Sequence, residues 1–217
     1  MALALLVAAT PVPPSGRLTV LVRIDTHALE RYVRVSDLTR EIRALWAPYA
    51  EIDVTDINKP AERGYHDQLR LVVVERQQSN TSEEPLAWIT FTAPGQPEDL
   101  ITVSIGGART LMAEARWGDR RIADLTRFHQ RQFMTRALAR SAAHEIGHYL
   151  LRSSAHSRAG LMRERLTAAD VMDNDLRVFR LEPAQIEAMR RRIARAPMGS
   201  DLDLCARRKE QDLTPLS

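Results

Sequence analysis

The stretch "AHEIGHYLLRSSAHSRAGLMRE", residues 143–164, decides how this chain is read. Within its residues 144–162 it gathers three of the six histidines, a glutamate and a methionine. His144 and His148 are four apart, so on a helix they leave the same face one turn from each other. Two neutral imidazoles held this way can meet one zinc ion at about 2.0–2.1 Å each. Glu145 is turned by about 100° from His144. It need not bind the metal, and can instead hold a water beside it and accept its proton. A catalytic zinc needs a third protein ligand and one open position. His156 is the one histidine that follows the pair, and it reaches the same ion if the chain reverses just after Leu151. "RSSAHS" (152–157) has small polar residues that permit such a turn. Glu164, Asp170, Asp173 and Asp175 are acidic alternatives for the third ligand. Asp173-Asn174-Asp175 also has part of a calcium-loop pattern, but the following glycine and the closing glutamate are missing. It reads as a helix-capping turn.

Working outward, the histidines fall on a long helix predicted over about 129–151. Its apolar face is Met134, Leu138, Ala142, Ile146 and Tyr149 or Leu150, spaced three and four apart. Upstream, alternating apolar residues predict strands in "RLTVLVRI" (17–24), "EIDVTDI" (51–57), "DQLRLVVVE" (67–75), "LAWITFT" (86–92) and "LITVSI" (100–105). Between the first two, "SDLTREIRALW" (36–46) predicts a helix capped by Ser36 or Asp37, with Leu38, Ile42, Leu45 and Trp46 inward. "QQSNTSEEP" and "APGQPED" read as turns, and the chain becomes helical after Gly106-Gly107. After Met162 the composition is polar until "EPAQIEAMRRRIA" (182–194), a last helix with Pro183 in its first turn. The order predicts one α+β unit: a twisted mixed sheet of about five strands, the helix carrying the histidines, and a short carboxy-terminal helical lobe.

The stretch "HEIGHYLLRSSAHSRAGLM" resembles the metzincin zinc peptidases, whose motif is H-E-x-x-H-x-x-G-x-x-H followed by a methionine turn. His144, Glu145 and His148 match directly. His156-Ser157 is similar to the His-Ser that often carries the third ligand, and "GLM" to the methionine turn, ending at Met162. The likeness in element order runs from about residue 17 to 196. It implies Zn2+ on His144, His148 and His156, Glu145 as general base, and Met162 on the floor of the site. It also implies a peptide or protein substrate paired to an antiparallel edge strand, here "LAWITFT". Two departures mark a divergent branch. The motif's glycine is Leu151 here, and the spacer from His148 to His156 is two residues longer, so the turn between second and third ligands must be built differently.

The reading is therefore a zinc-dependent metalloendopeptidase with metal-activated water. Two rivals stand beside it: a zinc-dependent hydrolase of a non-peptide amide, and a non-enzymatic zinc-stabilised binding module. Glu145 argues against the second rival, because a structural site has no use for an ionised base beside the metal.

The bulk properties set the remaining bounds. At 217 residues, 44% hydrophobic and 27% charged, the chain suits one globular domain over 17–196, with a leader at 1–16 and a polar tail at 197–217. The leader is too short to span a bilayer but fits the apolar part of an export signal. The expected location is thus secreted or periplasmic, and cytoplasmic if the segment is no signal. No transmembrane segment is expected. The single Cys205 excludes an internal disulfide and a cysteine-built zinc site. The net charge is +3, and seven of the 31 basic residues lie in "MRRRIARA" and "ARRKE". They read as the wet face of a last helix and its tail, with no nucleic-acid partner. The sequence does not give an oligomeric state.

Overall fold

In the computed structural model, which describes residues 17–60, 64–75 and 84–195, five apolar runs pair into one mixed sheet. They are β1 (Leu18–Ile24), β2 (Ala50–Asp56), β3 (Asp67–Val74), β4 (Ala87–Ala93) and β5 (Gln96–Ser104), in the order β2-β1-β3-β5-β4. β1, β2, β3 and β5 run parallel, and β4 lies antiparallel to β5 at the edge. The α+β class is as expected. β1 is buried along nearly its whole length, as a parallel strand covered on both faces should be. The short helical segments that the sequence does not announce include α1 (Thr26–Glu30) after β1 and a turn over Leu176–Phe179.

The helix of the first crossover, α2 (Val35–Trp46), buries Leu38, Ile42, Leu45 and Trp46 as their spacing predicts. Its start differs. Arg34 is the N-cap and makes no side-chain capping bond, while Asp37 lies in the first turn and pairs with Arg40 instead. A second correction concerns "APGQPED", where only Pro94-Gly95 turns and β5 begins at Gln96. Proline is admitted because Pro97 lies before the stretch of β5 that β3 pairs, which starts at Leu100. It faces Phe91 beside a register shift in β4, where a missing N–H removes no regular ladder bond.

After β5 come α3 (Ile105–Glu114), a two-stranded hairpin of β6 (Arg116–Trp117) and β7 (Arg120–Arg121), and α4 (Arg127–Leu151). α3 begins at Ile105, capped by Ser104, so Gly106 and Gly107 lie inside it and not before it. Thr126 caps α4. All the predicted inward residues of α4 are buried, together with most of its other side chains from Phe133 onward. The reason is its central place: it touches α2, α3, β4, β5, α5 (Ala168–Met172) and α6 (Pro183–Arg195). The Trp46 indole N–H donates to the Ala143 carbonyl at 3.2 Å, tying α2 to α4 one residue before the first histidine.

α5 is a five-residue helix that the polar composition hid. A Thr167–Asp170 capping box starts it, and that spacing is its one sequence signal. The Asp173–Asp175 segment is a capping turn, as read: Asp175 caps the turn that follows it, and Asp173 accepts from the Asp175 backbone. Among the described residues no helix is long and apolar enough to cross a membrane. The expected leader, the tail with Cys205 and most of "QQSNTSEEP" lie outside the described residues.

Candidate metal centre

His144 and His148 stand one turn apart on α4, with ring centroids 4.6 Å from each other. The His156 ring comes to 5.3 Å from His144 and 4.9 Å from His148. The ligand-capable atoms of all three lie within 4.8 Å of one another, so the group could hold a metal ion. Glu164 and Asp170 do not join it. Asp170 is taken by Arg163 and by its own capping box, and Glu164 is exposed. Nor do the remaining histidines: His27 is exposed, His66 accepts from the Thr19 backbone, and His129 sits with Thr126 at the start of α4.

The donor chemistry suits a cation such as zinc. The Nδ1 of His144 lies 2.8 Å from the Leu161 carbonyl, and the Nδ1 of His148 lies 2.7 Å from the Ser153 carbonyl. A carbonyl only accepts, so each Nδ1 carries the proton and each Nε2 keeps its lone pair for a ligand. Burial pushes the His144 imidazole down to about 4 and lowers His148 as well. Both rings are therefore neutral at pH 7, as metal binding requires. Two zinc–nitrogen bonds span roughly 3.3–3.4 Å at a tetrahedral angle, so small ring rotations would bring the three nitrogens together.

Glu145 is 8% exposed. Burial pushes its carboxyl up to about 8, opposed by a hydrogen bond from the Ile89 backbone N–H. A dication among the imidazoles would favour the charged carboxylate and act against that burial. The bond to Ile89 matters for a second reason: it ties the glutamate directly to edge strand β4.

The turn from His148 to His156 is built by Arg152, which closes α4 in the left-handed conformation at φ 52°, ψ 41°. A non-glycine residue holds that conformation at a cost of about 1–2 kcal/mol. The small residues of "RSSAHS" thus do not make the reversal themselves. The Arg152 N–H bonds the carbonyls of His148 and Tyr149, and the Ser153 N–H bonds His148 again at 3.2 Å. Past His156, the Ser157 N–H donates to the Met162 carbonyl at 2.8 Å. Gly160, at φ 79°, lets this loop double back where a Cβ would lie 2.1 Å from the Arg180 carbonyl oxygen.

Met162 is fully buried and lies against α4. A Cβ on Gly147 would come within 2.2 Å of its sulfur, so the glycine inside "HEIGH" opens the space that the methionine fills. Its neighbour Leu161 holds His144, and its own carbonyl holds Ser157. One two-residue segment therefore braces both histidine-bearing stretches.

The three histidines and Glu145 line a cleft of about 730 Å³. The lining also includes Ala87, Trp88, Ile89 and Phe91 of β4, and Leu161, Arg163 and Leu166 from the chain beyond His156. The Phe91 ring meets His148 edge-on at 6.3 Å. The resemblance implies that "LAWITFT" is the antiparallel edge strand that pairs with substrate; β4 is antiparallel, lies at the sheet edge and lines this cleft. Not foreseen were Ile89 and Phe91 as neighbours of Glu145 and His148 on α4, or Arg152 as the turn residue. Motif spacing carries no signal for such long-range contacts.

Compared with protein-family models and with curated proteins, the sequence gives no match. Among solved structures it is similar to a zinc-dependent peptidase from Methanocorpusculum labreanum. The two share 11% identity at a TM-score of 0.48, over 78% of this chain and 99% of that one.

Proposed function

We propose that this chain is a zinc-dependent endopeptidase of a divergent metzincin-like kind, with His144, His148 and His156 as the zinc ligands and Glu145 as the general base. One observation carries the reading: a buried carboxylate stands between a converging three-imidazole group and a sheet edge that lines the same cleft. Zinc bound there supplies Lewis-acid polarisation of a carbonyl and makes water easier to deprotonate. Glu145 takes a proton from the attacking water and delivers it to the departing amine. The carbonyls of Leu161 and Ser153 hold two imidazoles in the tautomer a metal needs. β4 offers main-chain donors and acceptors to an extended peptide, which favours a peptide over a small amide.

The test is peptide cleavage by the purified protein, with metal content measured on the same sample. Cleavage should be lost to a chelator and restored by zinc. Glu145→Gln should lower it by about 10²–10⁴-fold while the protein keeps its zinc. If Glu145→Gln cleaves at nearly the full rate, Glu145 is not the base. If it sheds the metal, Glu145 is a ligand and this assignment of roles is wrong.

A further inference from the structure

Arg152 is neither glycine nor asparagine, yet it holds a left-handed backbone at the point where the chain must turn from second to third histidine. A conformation of that kind persists where its surroundings impose it. The surroundings here are specific. The Arg152 guanidinium lies 4.4 Å over the Tyr149 ring and 3.7 Å from an Asp67 carboxylate oxygen. The same oxygen receives Arg192 of α6 at 2.6 Å, and Arg192 also donates to the Leu150 carbonyl at 3.0 Å. Burial and the nearby Asp67 carboxylate raise the Tyr149 hydroxyl above its ordinary range. The Asp67 side chain is 7% exposed, so the carboxylate at the centre of this hub is nearly desolvated, unlike that of the open pair Arg70–Asp99. It joins the start of β3, the body of α6 and the last turn of α4.

We propose that Asp67 is a positioning residue for the metal ligands: through Arg152 and Arg192 it fixes the last turn of α4, and so sets where Ser153 and His156 stand. The consequence for the ligands is direct. Ser153 supplies the carbonyl that orients His148, and His156 follows it by three residues on an exposed loop with few other anchors. An ionic clamp here does what glycine does in the motif that the chain resembles, and it accommodates the longer spacer. The inference rests on the zinc reading of the three histidines, but half of its test does not.

Two measurements on the full chain decide it. The first is zinc affinity, by competition with a chromophoric chelator. Asp67→Ala should weaken binding by about 10–100-fold, the usual worth of an outer partner of a metal ligand. Asp67→Asn, which keeps an acceptor oxygen, should lose less, and Asp99→Ala should change nothing. The second is amide hydrogen exchange in metal-free protein. The Ser153 amide should exchange at least about tenfold faster in Asp67→Ala, while the Val22 amide in the sheet should not follow it. A purely structural role would move both amides together and leave the zinc affinity of the folded protein alone. If Asp67→Ala does not fold, Arg192→Lys carries both readouts, since one ammonium cannot reproduce the guanidinium fork between Asp67 and Leu150. Zinc affinity within twofold of wild type, with Ser153 and Val22 unchanged relative to each other, overturns the proposal. If wild-type protein takes up no zinc, the metal reading fails on its own and the exchange result alone decides the clamp.

Discussion

His144 and His148 reach the cleft from the 25-residue helix α4, whereas His156 reaches it from a loop whose residues 154–156 are exposed. The first two have carbonyl partners on Nδ1 and are braced from below by Met162 against Gly147. Helix geometry sets their spacing before any ion arrives. The position of His156 depends instead on a left-handed arginine, a capped helix end and the Ser157–Met162 contact. Two of the proposed ligands are thus fixed by local structure and one by tertiary contacts. Metal affinity should depend on both regions, while the stability of the metal-free protein should depend mainly on the first.

Substitutions can break that contrast. The largest effect is expected from His148→Ala, which removes a ligand and also frees the Ser153 carbonyl. Its loss of zinc affinity in chelator competition should exceed the roughly 10–100-fold that an outer partner contributes. His156→Ala should also lose most of the affinity, but with little change in the melting of metal-free protein. Glu164→Ala and Asp170→Ala should leave the affinity intact, and metal loss in Glu164→Ala would replace the three-histidine site with a glutamate-ligand one.

Next in size are packing changes on the helix side. Met162→Ala empties a fully buried site and should cost about 2–5 kcal/mol in denaturant unfolding of the metal-free chain. Gly147→Ala forces a methyl onto the Met162 sulfur and should cost about 1–3 kcal/mol. On the loop side, Ser154→Ala should stay within about 0.5 kcal/mol, as exposed substitutions usually do. Equal costs on the two sides would erase the distinction drawn here.

The smallest effect belongs to neither region. The Arg177 hydrogen bonds hold the exposed Asp175 carboxyl down to about 2. Arg177→Ala should let it rise toward the ordinary aspartate range in an NMR titration, with zinc affinity unchanged. A shift that persists in full would assign it to the backbone N–H of residue 177, which the substitution keeps, and not to the guanidinium.

The contrast also explains what could be read from the sequence. Periodicity located α4, α2 and the five strands, because their apolar residues recur at helix or strand spacing or in short runs. The four-residue spacing of His144 and His148 was legible because it is local. His156 was legible as a candidate, and its turn was not. The residue that makes the turn, Arg152, has no turn propensity of its own and depends on Asp67 and Arg192, far away in sequence. The start of α2 was misplaced because Ser36 and Asp37 have the chemistry of caps without the position. The short α5 was missed because its signal is one capping box in a polar stretch.

The most direct test of the three-histidine centre is anomalous diffraction at the zinc edge, on crystals of the full chain grown with zinc. The account predicts one strong peak bonded to the Nε2 atoms of His144, His148 and His156 at about 2.0–2.1 Å, with the Glu145 carboxylate outside bonding distance. A peak held by only two of the histidines, or one that takes Glu145, Glu164 or Asp170 as a ligand, would contradict it.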